Sequence, residues 1–180
     1  LNQANVDHVG SGQAWVVFLR GTSHGNFAKM LQDSKKSPFW AYKQNSHALK
    51  NILNIQKGDR VLFILGYAKE GMGMSSNPKL SLEINAWYEA KVKEPYYMIL
   101  SGEKGTFFES GEIPVNERRW PHFMDFEIVD SCKSENRIDF GKRGRFANAF
   151  AESVNYGSGA PAPLLTEQYD GLVDHLRKLH

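Results

Sequence analysis

With 180 residues, 41% of them hydrophobic and 12% aromatic, the chain is long and apolar enough for one domain with a real core. Its 23% of charged residues and net charge of +2 exclude a disordered polyelectrolyte and give no blanket electrostatic case for nucleic acid, so the distribution of charge matters more than its sum. The single cysteine, Cys132, excludes an internal disulfide and fits a reducing compartment, read here as the cytoplasm; no apolar run reaches membrane-spanning length and no signal peptide is present.

In chain order, residues 1–13 form a polar lead-in and 14–180 a single domain. The absence of an initiator Met fits a piece trimmed from a longer protein, or equally a cloning boundary. Ala14 to Arg20 predicts a first strand, with Trp15 in the core or at a ligand, and Gly21 to Gly25 a loop. Asn26 is placed to cap a short helix through Gln32, and Ser46 to Asn54 reads as helical, with Leu49, Ile52 and Leu53 on one side. The turn Lys57-Gly58-Asp59 then feeds Arg60 to Leu65, an apolar run that fits a central strand buried on both faces and ended by Gly66.

Lys69 to Lys79 predicts a loop, Leu80 to Val92 a strand, and Tyr96 to Leu100 a further strand or its loop. Gly102 to Gly105 is a turn, and His122 to Val129 an alternating strand. A helix is expected within Arg143 to Val154. Tyr156 to Pro163 breaks it, and Thr166 is placed to cap a last helix with Tyr169, Leu172, Val173 and Leu176 as its apolar stripe. The pattern predicts an α+β domain: a small curled mixed or antiparallel barrel of about five or six strands with short flanking helices. No glycine-rich turn joins an early strand to a helix, as a dinucleotide-binding fold requires.

The sequence offers little for catalysis. None of the six histidines lies in a zinc-ligand spacing, so no metal site is expected, and there is no phosphate-cradling GxxxxGK[ST] motif. No cofactor is implied. Lys133 beside Cys132 does not make a nucleophile without a flanking pattern. Asp125 and Glu127, two apart on a strand, are an acid–base pair, a solvated face or a polar contact. Glu89-Ala90-Lys91 lacks the preceding Pro-Asp of a nuclease core.

The aromatic residues are more informative. Pro38-Phe39-Trp40-Ala41-Tyr42 sits in a lysine-rich polar stretch, where large rings either pack over a barrel end or stack on a planar ligand. Trp87-Tyr88 closes one strand and Trp120-Pro121 opens another. Lysines and arginines concentrate in Lys29 to Arg60 and in Lys133 to Arg145, as one shared basic face or two solvated surfaces.

Three segments taken together, Ser37 to Leu49 (SPFWAYKQNSHAL), Gly58 to Gly66 (GDRVLFILG) and Glu117 to Asp130 (ERRWPHFMDFEIVD), resemble the YTH and EVE families of the PUA-like superfamily. The closing PLLTEQYDGLVDHL also resembles EVE-like domains and the modified-DNA-reading domains fused to McrB-type restriction GTPases; the likeness spans Ala14 to Leu179. Long spacing between Gly66 and Trp87 departs from the YTH pattern.

The resemblance implies a PUA-like barrel that holds a flipped, modified base in an aromatic cage and breaks no bond itself. It places Trp40 as the first cage wall, with Pro38, Tyr42 and Asn45 at the entrance. Trp87 or its rival Tyr67 forms the second wall, and Ser23 or His24 touches the base edge. Lys35, Lys36, Lys43, Lys142, Arg143 and Arg145 would hold phosphates. The expected partner is nucleic acid, DNA more than RNA, with an AAA+ GTPase and a nuclease fused or associated. The alternatives are an RNA reader of N6-methyladenine, a small hydrolase or nuclease using Asp125 and Glu127, and a protein-interaction barrel whose aromatics are all core.

Overall fold

The computed structural model describes residues 13–19, 22–33, 38–42, 49–68, 82–98, 122–141 and 161–179. Six strands and three helices run through them: β1 (Ala14–Leu19), α1 (Thr22–Asp33), β2 (Phe39–Tyr42), α2 (Leu49–Ile52), β3 (Arg60–Ala68), β4 (Leu82–Met98), β5 (His122–Gly141), β6 (Ala162–Leu164) and α3 (Thr166–Leu179). The strands form one curled, mixed sheet in the order β2-β5-β4-β3-β1-β6. β1 and β3 are parallel, joined by a crossover through α1, β2 and α2, and the other pairings are antiparallel. This is the expected α+β class.

β3 is buried from Val61 to Leu65, as its unbroken apolar run requires. Trp15, Val17 and Leu19 of β1 and Val61, Phe63 and Leu65 of β3 join the cluster packed on α1, while Val16, Phe18, Leu62 and Ile64 join the cluster packed on α3. Helix α3 lays Tyr169, Leu172, Val173 and Leu176 on that second face, the stripe read from sequence. Its start differs from expectation. Gln168 accepts the Leu165 N–H at 3.1 Å and the Leu165 carbonyl accepts the Tyr169 N–H at 3.0 Å, so the reciprocal half of a capping box closes on Leu165, with Thr166 already helical.

Several boundaries are corrected. Helix α1 begins at Thr22, so Thr22 to Gly25 are helical and not loop, and Asn26 is no cap. Fully buried Phe27 and Met30 anchor the helix against the sheet and outweigh the roughly 1 kcal/mol that a helical glycine costs. Gly66 does not end β3. It sits at a register shift, where a Cβ would collide with the Glu83 carbonyl oxygen, and the strand continues to Ala68. β4 runs on through Pro95 to Met98, with bulges between Val92 and Tyr97 that absorb the missing proline donor. Helix α2 ends at Ile52, which is buried, and Leu53 just beyond it is exposed. The loop at 69–79, the turn at 102–105, the helix expected within 143–154 and Trp120 lie outside the described residues.

Candidate functional site

Pro38 to Tyr42 is not a loop. Phe39–Tyr42 forms the edge strand β2, paired antiparallel with β5 in the register Phe39↔Asp125, Trp40↔Met124, Ala41↔Phe123 and Tyr42↔His122. Aromatic residues suit a pleated surface, and Pro38 stands just before the strand, where its missing N–H is harmless while its carbonyl accepts the Phe126 N–H at 3.0 Å. The Phe39 N–H points to Met30 Sδ at 3.4 Å, tying the strand to α1.

Alternation along β2 puts Trp40 and Tyr42 on one face with their partners Met124 and His122. Phe27 of α1 sits among the rings of this region, with centroids 5.4 Å from Trp40, 4.8 Å from Phe63, 5.4 Å from Tyr88 and 6.1 Å from Phe126. These separations suit tilted and offset ring pairs. Trp40 is 2% exposed and Tyr42 1%, so both rings belong to the core.

A polar group borders this aromatic cluster where β4 meets β5. The Tyr96 hydroxyl lies 3.0 Å from His122 Nδ1, their rings 5.5 Å apart. Tyr97 donates its hydroxyl to Asp125 at 2.5 Å and stacks on Phe123, which also meets Phe39 at 5.7 Å. Burial, followed by the Asp125 carboxylate, pushes the Tyr97 phenol far above its ordinary value; burial alone does the same for Tyr42. Both stay protonated at neutral pH. The Tyr42 hydroxyl is buried without a hydrogen-bond partner.

Trp87 lies elsewhere. It belongs to the opposite face of the sheet, packed with Val16, Phe18, Ile84 and helix α3, and the Arg177 guanidinium sits 6.0 Å from its ring centre. The structure therefore does not bring Trp87 to Trp40. Tyr67 is on β3, opposite Glu83, and Ser23 and His24 are in the first turn of α1; their side chains lie outside the described residues. So do Asn45, Lys35, Lys36, Lys43, Lys142, Arg143 and Arg145.

Arg60 is not a free cation of a basic face. Its guanidinium pairs with Asp170 at 2.8 Å, lies 3.9 Å from Glu89 and covers the Tyr169 ring at 4.2 Å. Asp125 and Glu127 part company too: Asp125 is half-buried and bonded to Tyr97, whereas Glu127 is exposed opposite Lys91. Cys132 is half-buried across from Trp87. Among the described residues no three His, Cys, Asp or Glu side chains gather as a metal site, and no helix is long and apolar enough to cross a membrane.

Phe27, Tyr96, Tyr97 and His122 do not stand out in the sequence as part of this region, whereas Tyr88 does, beside Trp87. The i, i+3 spacing of Phe27 and Met30 was the available signal for the helix; the tyrosine pair became meaningful only once β5 was laid beside it.

No family model matches the sequence, and no curated protein matches it. Among solved structures, a hypothetical protein from Leishmania major superposes with a TM-score of 0.55 at 14% identity, covering 93% of this chain and 98% of that one. A protein from Pseudomonas putida gives 0.46 at 15% identity, covering 90% and 98%; human THYN1, solved in complex with 5-methylcytosine-containing DNA, gives 0.48 at 11% identity, covering 90% and 96%. At such identity the first of these supports the shared fold alone.

Proposed function

We propose that this domain binds nucleic acid and holds a methylated or otherwise modified base against the aromatic face built around Trp40. The observation that carries this reading is the density of rings there: Trp40 of edge strand β2, Phe63, Tyr88 and Phe126 gather around Phe27 of α1. Flat apolar rings stabilise an unstacked base, and a methyl group on that base adds apolar surface to bury. Lys35, Lys36, Lys43, Lys142, Arg143 and Arg145 supply the phosphate contacts, DNA is the preferred polymer, and bond breaking falls to a linked GTPase and nuclease of a modification-dependent restriction system. The domain acts in the cytoplasm as a targeting module.

The burial of Trp40 and Tyr42 favours a second reading, a protein-interaction domain whose aromatics only pack. A titration at two salt concentrations separates the two. The probes are short duplexes, unmodified or carrying 5-methylcytosine, 5-hydroxymethylcytosine or N6-methyladenine, with matching RNAs. The expected result is roughly tenfold tighter binding of one modified duplex, about 1.4 kcal/mol, with affinity falling as salt rises. Absence of binding to every probe at low salt overturns the reader and leaves the protein-interaction reading.

A further inference from the structure

Tyr42 ends the edge strand, two residues after Trp40 and on the same face, and stands opposite His122 in the β2–β5 register. Its ring is fully packed, yet its hydroxyl meets no partner. A buried hydroxyl without a hydrogen bond costs about 1–3 kcal/mol. A phenyl ring would fill the same volume, and the neighbouring positions of the cluster, Phe27, Phe39, Phe63, Phe123 and Phe126, are phenylalanines. Packing therefore accounts for the ring of Tyr42 and not for its oxygen. Buried Tyr169 differs, because the Arg60 guanidinium lies over its ring and close enough to act on its hydroxyl.

We infer that the Tyr42 hydroxyl determines specificity by donating a hydrogen bond to a ring nitrogen or carbonyl oxygen of the base held against Trp40. His122 stands opposite Tyr42 in the register and contacts the Tyr96 hydroxyl. The inference rests on the base-binding reading above. Burial keeps Tyr42 a neutral phenol, so the proton is there to donate. The matching ligand is a planar heterocycle with apolar faces and an acceptor at its edge. Binding it requires the rings around Trp40 to part and then supplies the hydroxyl with the partner it lacks.

The test compares the wild-type chain with Tyr42→Phe, using urea unfolding and the duplexes carrying 5-methylcytosine or N6-methyladenine. The expected variant unfolds at the same or a higher urea concentration, binds the preferred modified duplex about 3- to 10-fold more weakly, and keeps the wild-type salt dependence. Equal binding by both proteins overturns the role of Tyr42 and leaves the base reader standing. A lower urea midpoint for Tyr42→Phe also overturns it, because the hydroxyl then has a partner inside the folded protein. Wild-type protein that binds none of the probes brings down the base-binding reading and this inference with it.

Discussion

Asp59 is 2% exposed at the mouth of β3, a costly place for a carboxylate, and the geometry around it explains how it is tolerated. Oδ2 accepts the Trp15 indole N–H at 3.1 Å and the Gln56 backbone N–H at 2.9 Å, while its own backbone bonds Gln56 and Val92. Gly58, at a φ of 87°, provides the left-handed turn that brings these groups together. Trp15 is thus a core residue held by a side chain 44 positions away. Asp59→Ala should remove both bonds and lower unfolding stability by about 2–4 kcal/mol, with Asp59→Asn losing less because it keeps an acceptor oxygen; urea denaturation of the two variants measures this. The Gly-Asp turn was legible in the sequence. The role of the aspartate was not, because its partner Trp15 reaches it only after β1 and β3 pair in parallel.

At the level of elements, β2 was misread because alternation was the signal sought. All four of its residues are buried, so the pattern that marks a half-exposed strand is absent, and the basic residues on either side mimic a loop. β3 and α3 were readable for the opposite reason: an unbroken apolar run and a clean 3.6-residue stripe each imply one environment. Two glycines give a test of this account. Gly66→Ala would push a methyl group against the Glu83 carbonyl and Ile84 at the β3–β4 register shift, and should destabilise the protein by about 1–3 kcal/mol. Gly25→Ala lies on the exposed side of α1 with no atom within 4 Å, and should stabilise it by about 0.5–1 kcal/mol. Thermal or urea unfolding should move in opposite directions for the two. A shift of the same sign would refute either the bulge or the helical start at Thr22.

Across the whole molecule, a single sheet carries two cores, with α1 on one side and α3 on the other. Arg60, anchored to Asp170 and stacked on Tyr169, links β3 to α3 across the second core. The buried phenols make this architecture sensitive to alkali. Desolvation raises the Tyr42 pKa far above the ordinary 10.0, so above pH 10 the unfolded chain releases a proton that the folded chain keeps. Stability is complete below that pH and should fall by about 1.4 kcal/mol per pH unit for this residue as pH rises. Tyr97 and Tyr169 act in the same direction. In Tyr42→Phe the alkaline loss of stability should be shallower by that one proton, read from urea midpoints between neutral pH and pH 11.

The sequence by itself determined the α+β class, the central strand, the last helix and its stripe, because hydrophobic period is a local property that survives in one dimension. It also marked Trp40 and Tyr42 as rings worth attention. Only the tertiary structure decided that Trp40 meets Phe27 of α1 while Trp87 packs under α3, on the other side of the sheet. Which face a strand residue occupies depends on register, and register here passes through a bulge at Gly66 and several more along β4. Each such shift can exchange the two faces, so no count of residues along the chain could have sorted the two tryptophans.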